Sequence, residues 1–185
     1  MVSGWLAIVA LLMGTANVGQ QSQPVRTVER VDLDRYLGDW FEIARYPNRF
    51  QQQCAADVRA SYSKRSDGRI DVVNRCRASN GSFTEASGVA RVVDSRTFAR
   101  LKVRFAPAWL SFLPVVWGDY WILGLADDYS WAVVGSPDRN YLWILGRRRE
   151  LSADEYTSAL AAVRANGFDA GCLIKTNQTA STERP

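Results

Sequence analysis

The chain has 185 residues, 47% of them hydrophobic and 23% charged, with a formal net charge of +4. That is enough for one cored domain, and the excess charge is too dispersed for nucleic acid, since Arg147-Arg148-Arg149 is the only basic cluster. The absence of histidine removes Ser-His-Asp and Cys-His nucleophile pairs, HExxH sites and imidazole-ligated haem, and three scattered cysteines cannot build a zinc site, so no metal or cofactor is expected.

Residues 5–13 (WLAIVALLM) are too short an apolar run for a transmembrane helix but suit a signal-peptide core, with Gly14-Thr15-Ala16 at cleavage spacing. Residues 1–16 therefore read as a signal peptide and 17–30 as a flexible spacer, and the mature chain is expected to be exported. No cysteine precedes Cys54, so a covalent lipid anchor is not expected. From Gly38 onward, short alternating runs are punctuated by turn residues at the spacing of an antiparallel sandwich or barrel. Residues 40–46 come first, then 58–64 and 70–75 around the hairpin signal Ser66-Asp67-Gly68, and then 83–93 after Asn80-Gly81. Residues 100–105 (RLKVRF) alternate strictly, and 119–126, 131–136 and 141–147 bring the candidate strands to eight. The period then changes. Ser152 to Glu155 form a capping box, Tyr156, Leu160 and Val163 recur at helical spacing, and Asn166-Gly167 stops the helix. A short ninth strand over 172–176 and a disordered tail over 177–185 complete the chain.

The fold class is all-β: an eight-stranded antiparallel up-and-down barrel over 31–176, with one C-terminal helix packed outside. Such a barrel encloses room for one small ligand. Strand counting places the turns at Asp67 and Asp127-Asp128 at the bottom. The loops near 49–53, near Asn80 and over 106–117 fall at the top. Trp40 and Arg147 meet at the bottom.

These residues resemble the lipocalin family. Gly38-Asp39-Trp40 is similar to its first-strand Gly-x-Trp motif, and Asp128-Tyr129 to its second motif. Arg147 stands where the third places an arginine over that tryptophan. The strings YLGDWFEIARYPNRFQ, SYSKRSDGRIDVVNRCR, DDYSWAVVGSPDRNYLWILGR and NGFDAGCLIKT resemble the bacterial outer-membrane branch and its animal relative apolipoprotein D. The resemblance implies carriage of a small hydrophobic ligand, a fatty acid or lysophospholipid, linked to maintenance of the cell envelope. It implies a periplasmic or outer-membrane-associated location and allows a monomer or a homodimer. It makes Gly38, Trp40, Asp128, Tyr129 and Arg147 structural rather than ligand-contacting.

Parity from Trp40 turns Glu42, Ala44 and Tyr46 inward, barring a bulge. Parity from Arg147 does the same for Trp143 and Leu145. Val58, Ala60, Tyr62, Leu101, Val103 and Phe105 are further cavity candidates. Glu42 in an apolar cavity must be hydrated, pair with an arginine or titrate upward. Cys54 enters the second strand where Cys76 leaves the third, so a small bulge makes them partners in a disulfide. Cys54–Cys172 is the alternative pairing. In the loop over 106–117 (APAWLSFLPVVW), Trp109, Leu110 and Phe112 either fold inward as a lid or enter a membrane or dimer contact. The outer face of the fifth strand, Arg100, Lys102 and Arg104, would assist membrane docking. Two other functions stand beside carriage: a cysteine-dependent lipid-modifying or isomerising enzyme, disfavoured by the missing histidine, and an interaction module with a filled barrel.

Overall fold

The computed structural model describes residues 23–179. The expected signal peptide, the first part of the spacer and the tail from residue 180 lie outside the described residues.

The Asp32 carboxylate accepts from the main-chain N–H groups of Asp34 and Arg35 and starts a one-turn helix, α1 (Leu33–Tyr36). Gly38, at φ +90°, then turns the chain into β1 (Gly38–Arg45), a conformation that residues with a side chain rarely adopt. Seven antiparallel strands follow: β2 (Cys54–Lys64), β3 (Ile70–Ala78), β4 (Phe83–Val92), β5 (Arg100–Arg104), β6 (Gly118–Leu125), β7 (Trp131–Gly135) and β8 (Leu142–Gly146). Each pairs with the next, and β1 pairs with both β8 and β2, which closes the barrel. Helix α2 (Ala153–Ala165) opens on the reciprocal capping box of Ser152 and Glu155 and lies outside, against β6 and β7. A two-residue ninth strand, β9 (Ile174–Lys175), bonds to β1.

Side-chain alternation divides the apolar residues into two layers. Trp40, Ile70, Val72, Leu101, Ile122 and Leu145 form the inner one. Ala44, Leu123, Val133, Ile144, Ala159 and Val163 form the outer one, between the wall and α2.

A bulge in β1 corrects the parity expected for its upper half. Glu42 stands opposite Leu145 but Ala44 opposite Ile144, so Ile43 is an extra residue in β1. Beyond it every side chain changes face. Ala44 is fully buried in the outer layer, and the Tyr46 ring lies edge-on to Phe168 with its hydroxyl donating to the Asp169 carbonyl. Arg45 takes the inward place that alternation had given to its neighbours.

The described parts of the expected spacer and tail, residues 23–30 and 177–179, are tied to the barrel. Within the expected spacer, Val25 is buried in the outer layer, and the N–H of Val28 donates to the Ile122 carbonyl at 2.9 Å. In the expected tail, the Asn177 carbonyl accepts from the N–H of Asp57, and Gln178 Nε2 donates to the carbonyls of Glu42 and Val58 at 2.9 and 2.8 Å. Main-chain pairing between β1 and β2 stops at Phe41 and Arg59. Residues 176–179 fill the opening above it, satisfying backbone groups that a splayed seam would leave unpaired. Thr179 donates twice to the Asp57 carboxylate, which also pairs with Arg77 at 2.7 Å. Burial alone would raise the Asp57 carboxyl, but the bonds from Thr179, helped by Arg77 and Arg149, hold it below the ordinary value.

Cys54 and Cys76 form a disulfide across the top of β2 and β3, with Cα atoms 5.5 Å apart, and Cys172 is a free, exposed thiol. The irregular register of β2 between Cys54 and Arg59 supplies the bulge that brings the pair together. The bridge closes a loop of sequence separation 22, and cross-links of that size contribute about 3 kcal/mol by restricting the unfolded chain. The variant Cys54→Ala/Cys76→Ala should therefore unfold at a clearly lower urea midpoint. An unchanged midpoint would mean that the pair leaves the unfolded chain unrestricted.

Candidate functional site

The floor of the barrel is built on Trp40. Its indole N–H donates to the Tyr36 carbonyl at 2.8 Å, and the Arg147 guanidinium lies 3.9 Å from the ring centre. Arg147 also donates to the carbonyls of Asp39 (2.9 Å) and Arg35 (2.6 Å), so it ties β8 to both ends of the turn that enters β1. Asp128 accepts from the N–H of Ser130, turning the chain into β7. Tyr129, at φ +65°, accepts from the N–H of Asp32 at 2.8 Å while its ring lies 4.0 Å beneath Arg35.

Above the floor, three phenols are linked in a chain. The Tyr120 hydroxyl is 2.8 Å from that of Tyr36 and 3.0 Å from that of Tyr62. Burial raises all three above the ordinary phenol value, Tyr62 to about 12, so they stay protonated at neutral pH. Leu101, Val103, Trp143 and Leu145 stand around them in the inner layer, and Ala60 faces inward opposite Trp40. Val58 is buried beside the irregular stretch of β2.

Higher in the wall the inner layer thins. Ala86 lies on the same face of β4 as the buried Ala90, yet is exposed, so the inner face is accessible to solvent at that level. The Phe105 ring leans over Gly88, where any β-carbon would come within 2.7 Å of it. That close approach places Phe105 at the mouth, about half exposed.

Glu42 resolves into one of its three expected states: it pairs with an arginine. Its carboxylate accepts from Arg45 Nη1 at 2.9 Å and from the Thr176 hydroxyl, and Gln51 Nε2 donates to its other oxygen at 2.6 Å. The Gln51 carbonyl oxygen in turn accepts from the indole of Trp143 and from Asn48. Gln51 thus straps the first top loop across the mouth. Outside the strap, Arg45, Asn48, Arg49, Gln52 and Ile174 line a rim depression of about 380 Å³.

The loop over 106–117 is not folded inward as a lid. Trp109, Phe112 and Val115 are 72%, 74% and 89% exposed, and Leu110 is half-buried. Two single-turn 3-10 segments, Ala108–Leu110 and Pro114–Val116, shape the loop, and the Trp117 indole donates to the Ser111 carbonyl. The outer face of β5 is no free basic surface either. Arg104 is buried, and its guanidinium and that of Arg91 lie 5.3 and 4.4 Å from the centre of the Trp117 ring. Arg100 lies on Trp121, and Lys102 pairs with Asp119 at 3.0 Å. Arginine adopts such places because its planar, weakly hydrated group stacks on indole rings.

Comparison with known proteins agrees with this geometry. A model of the lipocalin-like domain matches residues 31–178. The chain belongs to the lipocalin family. Temperature-induced lipocalin-1 of Arabidopsis thaliana is 37% identical over 161 residues, covering 86% of each chain. Outer membrane lipoprotein Blc of Escherichia coli K12 is 34% identical over 95% of each chain. Apolipoprotein D of Mus musculus is 32% identical over 94% of this chain and 93% of its own. Insecticyanin of the tobacco hornworm Manduca sexta shares the fold at a TM-score of 0.66 and 20% identity, covering 84% of this chain and 85% of its own.

Lipocalins are in general binding proteins rather than enzymes. In this lipocalin, sequence reasoning missed Arg45, Gln51, Tyr36, Tyr120 and Gln178. Alternation against Leu101 would have placed Tyr120 inward, since the two are register partners. Nothing periodic marks Arg45, because the bulge at Ile43 carries no turn residue. Replacing Arg147 by alanine removes the cation over Trp40 and two main-chain ties. Thermal and urea unfolding should show a loss of about 1–3 kcal/mol, with binding per folded molecule nearly unchanged. Loss of binding at full stability would put the ligand, not the floor, under Arg147.

Proposed function

We propose that this lipocalin carries a fatty acid or lysophospholipid non-covalently in its lumen, as an exported protein of the periplasm or associated with the outer membrane, serving envelope maintenance. The observation that carries the reading is the graded inner face, packed around Trp40 and solvent-exposed at Ala86 and Phe105. Cavity candidates Tyr62, Val103, Phe105 and Trp143 line that gradient. Each buried methylene of an acyl chain contributes about 0.8 kcal/mol, so affinity needs no reacting group. The outer-membrane lipoproteins and apolipoprotein D among the relatives support export and a lipid-like cargo. Native mass spectrometry of protein purified without detergent tests the reading. The expected result is a retained lipid mass that a fatty acid displaces, and a barrel that neither retains nor takes up lipid would refute it.

Loading follows from the mouth. Trp109, Phe112 and Val115 enter the outer part of a bilayer and bring the opening to the lipid, and the tied-down arginines of β5 leave this contact apolar rather than electrostatic. Trp109→Ser/Phe112→Ser should weaken vesicle association about tenfold or more, on the order of 2 kcal/mol for the lost apolar area, with little change in unfolding midpoint. Wild-type association should depend only weakly on salt. Association that persists in the double variant, or that salt abolishes, would assign the contact to another surface.

A further inference from the structure

The chain of phenols at the base of the lumen leaves a hydrogen-bond donor over. Tyr36, Tyr120 and Tyr62 carry one hydroxyl proton each, and the two contacts among them, at 2.8 and 3.0 Å, use two. Whichever way the bonds run, the third O–H points elsewhere. Tyr36 is almost fully enclosed, whereas Tyr62 and Tyr120 are only partly buried. A spare donor on Tyr36 would be buried without a partner, which is costly, so the chain runs from Tyr36 through Tyr120 toward the lumen. The free donor therefore lies on Tyr62 or Tyr120, the two phenols that keep some exposure.

We propose that the base of the lumen is a subsite for an uncharged oxygen of the ligand, a hydroxyl or keto group at the end of the chain that enters first. The proposal rests on the reading that the lumen holds a lipid-like molecule, and it adds which lipids are favoured. The surroundings decide the charge. Trp40, Val72, Leu101 and Leu145 give the base an apolar wall in which an ionised group would be poorly solvated. The nearest floor cation, Arg147, is stacked on Trp40 and bonded to the carbonyls of Asp39 and Arg35. The phenols themselves stay neutral, because burial opposes their ionisation. A neutral donor in an apolar base suits a neutral acceptor. Ionic head groups stay at the rim, where Arg49 lines the depression.

The test compares hexadecanoic acid with 16-hydroxyhexadecanoic acid, which differ only at the far end, by calorimetry on the wild-type protein and on Tyr62→Phe and Tyr120→Phe. A dry apolar base would disfavour the hydroxyl by about ten- to a hundredfold, the cost of burying it unpaired. The proposal expects the wild-type protein to bind the two acids within about threefold of each other. It also expects at least one phenylalanine variant to lose about tenfold more affinity for the hydroxy acid than for the plain acid. Equal losses for both acids would make the phenols merely structural, and a strong wild-type preference for the plain acid would overturn the subsite without needing either variant. If neither acid binds the wild-type protein, lipid carriage itself fails and the subsite with it, a result distinct from the other two.

Discussion

Replacing Glu42 by alanine should destabilise the barrel by about 3–5 kcal/mol, the usual consequence of removing one partner from a buried ion pair. Arg45 is 11% exposed at its side chain and has its Nη1 on the Glu42 carboxylate, while its Nε already lacks a partner. Without the carboxylate, a guanidinium stays enclosed with Thr176 as its remaining side-chain partner. Gln51 loses its acceptor too, so the strap across the mouth slackens along with the wall. Urea unfolding measures the loss. The double variant Glu42→Leu/Arg45→Met should recover a large part of it, since an apolar pair carries no stranded charge. A single-variant cost below about 1 kcal/mol would put the pair in the class of solvent-screened surface contacts.

The second large effect is alkaline unfolding. In the unfolded chain the phenols of Tyr36, Tyr62 and Tyr120 titrate at the ordinary value of 10.0, whereas burial in the barrel raises each of them, Tyr62 to about 12. Above that ordinary value the unfolded state releases protons that the folded state keeps. The stability due to these groups is therefore fully present below about pH 10 and is lost as pH rises toward the folded values, by about 1.4 kcal/mol per pH unit for each phenol. Unfolding midpoints taken between about pH 9 and about pH 11.5 should fall steeply, together with a late rise in tyrosinate absorbance. Tyr62→Phe should flatten the fall by one phenol's share. A flat profile, or tyrosinate absorbance that rises fully before unfolding, would show that the hydroxyls are open to water.

Much of the fold was legible in the sequence because strand alternation and turn chemistry are local. Asp67-Gly68 and Asn80-Gly81 marked hairpins, and Ser152 with Glu155 marked the helix start. The strict alternation of 100–105 placed Leu101 and Val103 inside. The floor was legible through three short motifs whose residues meet in space. What failed were positions fixed by non-local geometry. Ile43 bulges without glycine or proline, so Ala44 and Tyr46 were assigned to the wrong face and Arg45 was overlooked. The arginine stacking on the outer face of β5 depends on Trp117 and Trp121, which alternation does not report, whereas the exposure of Trp109 and Phe112 is one of the two arrangements the loop sequence left open. Asn177, Gln178 and Thr179 are polar and read as tail, yet their value lies in partners more than a hundred residues earlier, at Asp57 and Glu42.

The segment over 176–179 also governs the order in which the molecule can be completed. Its partners Glu42, Asp57 and Val58 lie in the first two strands, and it follows every strand of the barrel in the chain. A chain threading through a membrane or leaving a ribosome amino end first can pair β2 with β3 and β3 with β4 early, since those contacts are short in sequence. It cannot seal the wall beside Asp57 until residues 176–179 are in place. Until then the lumen has a side opening, with unpaired backbone along the upper edges of β1 and β2.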